Sequence, residues 1–249
     1  MPSQATRHVG PAVKPAQSRF FPTDSSGSAV EHKPGWLCDG RGMLSEHYKT
    51  EGKIAVKRGQ YGEAENFFHA AIEQAEQIGS FNPCLVDSLN ELGVLYAKQY
   101  KYAQAESMFQ RSLGVSVAAL GSDHPDVAII LRNIGILKAS QRQYAEAKLL
   151  LNQSFSLTHR VLGHEHPIAA GTMRTCAVFY AIQGHYVEAE RFIRRSLDIS
   201  QRALGSEHPE VAVSRKVFVH VLHTMDRDTE ASRAGLQAQD FGTRSALGS

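Results

Sequence analysis

Leu120-Gly-Ser-Asp-His-Pro125 recurs as Leu162-Gly-His-Glu-His-Pro167 and again as Leu204-Gly-Ser-Glu-His-Pro209, with a spacing of 42 residues between successive copies. A fixed period of this length marks an internal repeat, in which each unit is one small supersecondary element stacked on the next. Gly121, Gly163 and Gly205 stand where a helix must stop, because glycine enters a left-handed cap without strain. Pro125, Pro167 and Pro209 stand where the next helix must start, since the first helical amide has no partner to lose. Asp126 and Glu210 follow, where the helix dipole favours an acid. The hexapeptide therefore spells helix stop, short loop, helix start. Pro83, after Asn82, gives the same start in an earlier unit.

A second landmark keeps step with the first. Tyr102-Ala-Gln-Ala-Glu106, Tyr144-Ala-Glu-Ala-Lys148 and Tyr186-Val-Glu-Ala-Glu190 are also 42 residues apart, and Tyr61-Gly-Glu-Ala-Glu65 precedes them by 41. Each unit reads as two helices, because Leu89, Leu92, Val94 and Leu95, then Ala105, Phe109, Ser112 and Leu113, fall at helical spacing, and strand alternation is absent. Gly52, Gly93, Gly135 and Ala177, each followed twelve residues later by Ala64, Ala105, Ala147 or Ala189, let the two helices of a unit approach closely. Leu92, Leu95, Tyr96, Phe109, Ile134, Leu151, Phe179 and Phe192 are expected among the buried residues.

The set Leu89, Leu92, Gly93, Tyr96, Ala105, Phe109 and Ser112, repeated as Leu131, Ile134, Gly135, Ala147, Leu151 and Ser154, resembles the tetratricopeptide repeat consensus. The unit length and the LGxxHPxVA linker resemble the variety with longer helices found in kinesin light chains. The resemblance covers about residues 43–240. It implies an all-α fold, a right-handed superhelical solenoid of antiparallel helix pairs, used for binding other polypeptides without catalysis. Units are expected at about 43–77, 78–119, 120–161, 162–203 and 204–240. Lys138 departs from the usual aromatic, and Arg215, Val219 and Gly235 depart in the last unit, which is expected to be degenerate and to close the stack as a polar cap. Residues 1–42, with Pro2, Pro11, Pro15, Pro22, Pro34 and a Ser-Ser-Gly-Ser stretch, and the tail 241–249 are expected to be flexible. Trp36 is expected to pack as an N-terminal lid rather than to serve as a short binding motif.

A formal net charge of +2 gives no strong field for nucleic acid or anionic membrane. Cys38, Cys84 and Cys176 are odd in number and widely spaced, which suggests neither a disulfide framework nor a zinc site and fits a cytoplasmic setting. Arg7, Lys14 and Arg19 near the N-terminus bear a faint likeness to a transit peptide, but the prolines and the lack of an amphipathic period argue against one. No apolar run is long enough to span a bilayer, and no phosphate loop, HExxH or GxSxG motif supports catalysis or a cofactor. His164 and His166 form an HxH pair, but the repeat-equivalent His124, His166 and His208 fall in successive linkers, too far apart to share a metal.

First helices of such stacked pairs line a concave surface, so one repeat position forms a row across it. The position after the first consensus apolar residue reads Lys49, Asn90, Arg132, Arg174 and Lys216, with Lys53 one turn after Lys49. A row of cationic and hydrogen-bonding side chains suits carboxylates on an extended or helical peptide. An acidic protein segment is the expected partner. The competing expectations are a solvated face neutralised by Glu46, Asp87 and Glu91, self-assembly through the end units, and phosphate tracking along nucleic acid, for which interleaved aromatics are missing. The chaperone-tail clamp known in some tetratricopeptide proteins is not matched, because Val94, Gly171 and Thr175 stand where polar or basic groups are required.

Overall fold

The computed structural model describes residues 40–80 and 82–225. Among these residues the chain forms nine α-helices and no strand: α1 (Gly40–Lys57), α2 (Tyr61–Ile78), α3 (Pro83–Lys98), α4 (Tyr102–Leu120), α5 (Pro125–Ser140), α6 (Tyr144–Leu162), α7 (Pro167–Ile182), α8 (Tyr186–Leu204) and α9 (Pro209–Thr224). Helix α1 begins at Gly40, so the last three residues of the segment expected to be flexible are helical; the lid role of Trp36, the thiol of Cys38, residues 1–39, the tail 241–249 and Gly235 lie outside the described residues.

The helix boundaries follow the punctuation in the sequence. Gly121, Gly163 and Gly205 close α4, α6 and α8 at φ of 87°, 81° and 82°. Prolines open α3, α5, α7 and α9. The residue before each proline completes the start: the Leu85 amide donates to the Asn82 side chain, and the Asp126, Ile168 and Glu210 amides donate to Nδ1 of His124, His166 and His208. The linker histidines are thus N-caps. Each satisfies an orphan amide through its ring Nδ1.

Helices pair tightly within a unit, α1 on α2, α3 on α4, α5 on α6 and α7 on α8, and α9 packs against α8. The small residues make that approach possible, and their partners scale with them. Gly52 lies against the Phe68 ring and Gly93 against the Phe109 ring, Gly135 faces Leu151, and Ala177 occupies the same register opposite Ile193. Across units, α1 touches α3, α3 touches α5, α5 touches α7 and α7 touches α9, while successive second helices have no comparable contact. The closer spacing on the first-helix side bends the stack into a right-handed superhelix with α1, α3, α5, α7 and α9 on its inner side.

Seven of the eight side chains expected in the core are buried, from Leu92 at 0% exposed to Ile134 at 8%. Phe192 is the exception and is only partly buried. Ile193, one residue further round α8, takes the place opposite Ala177, so Phe192 lies to the side, stacked on Tyr180 and edge-on to Phe155. Two departures noted in the sequence also find their place. Lys138 Nζ reaches Glu106 at 2.9 Å, just as the hydroxyl of the repeat-equivalent Tyr96 reaches Glu65 at 2.9 Å. Arg215 is buried, among Val211, Phe218 and Leu222 of the same helix, which are buried too.

Candidate partner-binding face

The inner helices carry the six residues singled out in the sequence, five at one register and Lys53 one turn after Lys49, and the structure divides them by what neutralises them. Lys49, on α1, is 7% exposed and pairs with Glu46 at 2.7 Å and with Asp87 of α3 at 2.8 Å. Burial works against its charge, but the attraction of Asp87 and hydrogen bonds to Asp87 and Glu46 outweigh it and hold the pKa above 10.5. Lys53, one turn on, pairs with Glu91 at 2.8 Å. At this end of the row the acids noted in the sequence do neutralise the cations.

Asn90 is uncharged and accepts a hydrogen bond from Asn133 Nδ2 of α5 at 2.8 Å. Arg174 pairs through Nη1 with the Glu210 carboxylate at 2.6 Å and reaches Ser214 Oγ at 3.3 Å, both on α9. Lys216 is exposed at the far end, beside a cleft of about 360 Å³ lined by Val178, Ile182, Tyr186 and His220.

Arg132 differs from all of these. Its Nη1 lies over α7, 3.2 Å from where a Cβ on Gly171 would stand, and among the described residues no hydrogen bond or ion pair is formed by its guanidinium. Burial pushes its pKa down, the neighbouring Arg174 adds to that, and the Glu210 carboxylate pulls the other way. Arg132 thus feels Arg174 as a like charge, while the Glu210 carboxylate pairs with Arg174 alone.

A second row, apolar, runs beside the first. Val94, Ile136 and Val178 each stand four residues after a member of the first row, so they share its helix face one turn on. Ile136 is 43% exposed, Val178 38%, and Ile182, a further turn along α7, 62%. The 42-residue register already carried this signal, since adding four to Asn90, Arg132 and Arg174 gives the three apolar positions. The inner face over α5 and α7 thus sets guanidinium groups beside exposed aliphatic side chains.

The two described cysteines are not poised as nucleophiles. Cys84 and Cys176 are buried, and burial is the first cause that pushes each thiol up to about 11. A thiol held there is scarcely ionised near neutrality. Among the described residues no three His, Cys, Asp or Glu side chains cluster as a metal site, and no helix is long and apolar enough to cross a membrane.

A profile of the tetratricopeptide repeat matches residues 47–116, 88–158 and 169–241. The fold is similar to that of BtubC (BKLC) from P. vanneervenii, with a TM-score of 0.65, 17% identity and coverage of 83% of each chain. It is also similar to a putative kinesin light chain from Podosopora anserina with nearly identical TPR-like repeats, with a TM-score of 0.59 and 20% identity over 84% of this chain and 98% of that one. The apo form of RapI gives a TM-score of 0.60 at 11% identity, covering 81% and 71% of the two chains. No curated protein matches by sequence.

Proposed function

Since the chain belongs to the tetratricopeptide repeat family, with repeats of the kinesin light chain kind, we propose that it is a non-catalytic adaptor holding an acidic peptide or helix along its inner face. The observation that carries this reading is the Arg132 guanidinium, which lies over Gly171 of α7 with no hydrogen bond or ion pair among the described residues, on the face where Arg174 of α7 pairs with Glu210. Lys49, Lys53, Asn90 and Lys216 extend the contact row, with Lys49 and Lys53 contributing least because Glu46, Asp87 and Glu91 already neutralise them. The exposed Ile136 and Val178 supply apolar contacts one turn away. The domain that does this work is about residues 43–240, in a cytoplasmic protein without cofactor or metal.

The test is an array of twelve-residue peptides, acidic and charge-inverted versions of the same sequences, probed with the full chain and with its Arg132→Glu, Arg174→Glu double variant. Acidic peptides should be retained by the unaltered chain and lost at least tenfold by the variant, with its helical circular dichroism unchanged. Equal retention of both charge versions, or unchanged retention by the variant, would reject this face as the binding site.

A further inference from the structure

The second helices lie on the outer side of the stack, and one stripe of theirs changes character from α6 to α8. Leu149, Asn152, Gln153 and Ser156 follow helical spacing, so they share one face of α6. All four are exposed, Leu149 at 60%. The repeat-equivalent residues of α8 are Arg191, Arg194, Arg195 and Asp198, each of them charged. On α4, Val117 and its neighbours on the helix face, Gly114 and Ala118, are exposed and again uncharged. Between α4 and α6 runs a groove of about 510 Å³, lined by Leu113, Val117, Val127, Leu131 and Leu157, with the exposed Gln153 among its walls.

The neighbouring seams show what this one lacks. Arg111 of α4 reaches Glu76 of α2, and Arg195 of α8 pairs with Glu165, in the linker after α6, at 2.7 Å. Gln153 stands at the register of both arginines. Phe155, the equivalent of Leu113, lies edge-on to Phe192 at 6.1 Å and packs with the buried Ala170, Met173 and Ile199. His159 and His164 stand where the α4–α6 seam has Val117 and Ser122. In each exchange the α4–α6 seam holds the smaller side chain, and the groove is the space so left.

An exposed apolar groove bordered by uncharged side chains marks a contact with another molecule, because apolar surface gains by leaving water and no unpaired charge is buried with it. We propose that the outer face over α4 and α6 is a second docking surface, taking an uncharged segment of a partner protein that inserts one aromatic side chain into this groove. The segment is uncharged because the stripe offers its charges nothing to meet: Asp123 and Arg160, at the groove, already pair with each other at 2.5 Å. The inserted side chain is aromatic because Phe155 is what this chain itself places at the same register one seam on. The surface lies on the side away from Arg132 and Arg174 and does not depend on the inner-face reading, so the two faces can be occupied at once.

Full-length protein labelled with 13C at its Leu and Val methyls is titrated with N-acetyl-phenylalaninamide, an uncharged aromatic probe, and with the aspartate analogue as control. The Val117 and Leu157 signals should move saturably with the first and stay in place with the second. Leu113→Phe with Gln153→Arg copies Phe155 and Arg195, and this double variant should respond at least tenfold more weakly with its helical circular dichroism unchanged. Gln153→Arg alone, an exposed change that leaves the core untouched, should also weaken the response. No saturable movement of Val117, equal movement with the aspartate analogue, or an undiminished response in the double variant overturns the proposal. Two further results overturn it by assigning another occupant. Movement of the Val117 signals on dilution of the protein alone would give the groove to a second copy, and movement on joint Phe20→Ala, Phe21→Ala and Trp36→Ala substitution would give it to residues 1–39 of this chain.

Discussion

The Ser45 hydroxyl donates to the Ala71 carbonyl at 2.9 Å, joining α1 to α2, and in every later pair the same bond runs the other way. Ser112 donates to the Val86 carbonyl at 2.9 Å, Ser154 to Ala128 and Ser196 to Ala170, both at 2.7 Å. The four bonds join equivalent positions, all fully or almost fully buried, so one serine per unit is required but either helix can supply it. Ser45→Ala should destabilise the chain by about 1 kcal/mol, the net worth of a buried hydrogen bond. Adding Ala71→Ser should restore most of that by recreating the arrangement of Ala128 and Ser154. Urea unfolding of the two single variants and the double variant measures the coupling, and additive losses would show the reversal to be without consequence.

A Cβ on Gly93 would come within 2.7 Å of the Phe109 ring, which is 1% exposed and has no room to withdraw. Gly93→Ala should therefore destabilise by roughly 1–3 kcal/mol, the usual range for overpacking. Combining it with Phe109→Ile reproduces the natural pair Ala177 and Ile193, and the cycle should show a favourable coupling of at least about 1 kcal/mol. A double variant as unstable as the sum of its parts would mean that size matching between the paired helices is not what sets their separation.

Four turns between paired helices use a left-handed residue at one register: Gly59, Tyr100, Arg142 and Gly184, with φ of 76°, 59°, 62° and 80°. Tyr100 and Arg142 carry a Cβ that this conformation disfavours by roughly 1 kcal/mol. Arg142→Gly should be neutral or stabilising despite glycine's greater freedom in the unfolded chain, while Gly184→Ala should lower the thermal midpoint by a few degrees. Opposite signs at these two equivalent positions are the expected result, and a loss in both would assign Arg142 a contact worth more than its strain.

Alkaline stability follows from the buried acids. Burial raises Cys84 and Cys176 from 9.0 to about 11, and burial followed by the bond to Glu65 raises Tyr96 from 10.0 to about 12. The unfolded chain loses these protons first, so the folded state binds more protons and stability falls as pH rises. The thiols act between pH 9 and about 11, and Tyr96 between 10 and about 12. Each thiol should contribute a decline of the order of 1 kcal/mol. Cys84→Ala and Cys176→Ala should flatten the urea midpoint between pH 9 and 11, and an unchanged slope in both would place the effect elsewhere.

The fold was legible because its signals are local. Gly121 and Pro125 announce a stop and a start within six residues, and the positive φ of one and the helical start at the other follow from backbone sterics alone. The core was legible wherever one apolar residue stood alone at its register. Where two stood together, as Phe192 and Ile193 do, periodicity could not choose between neighbours about 100° apart on the helix. The charge row was legible as a row, but its neutralisation was not. Whether Lys49 or Arg132 is satisfied depends on a residue of the next unit, Asp87 or Gly171, and that pairing appears only once the helices are stacked.

The size matching of Gly93 with Phe109 and of Ala177 with Ile193 is confined within single units, whereas Lys49 with Asp87 and Tyr96 with Glu65 join one unit to the next. Excision of one 42-residue segment would therefore leave every surviving helix pair intact and change only the seam. Removing α3 and α4 with the turn that joins them would set Lys49 against Ile129 and Glu65 against Lys138, so that Glu65 exchanges Lys101 for Lys138 while the pairs of Lys49 with Asp87 and of Lys53 with Glu91 are lost. Units of this chain are interchangeable in what holds each together and particular in whom each will stand beside.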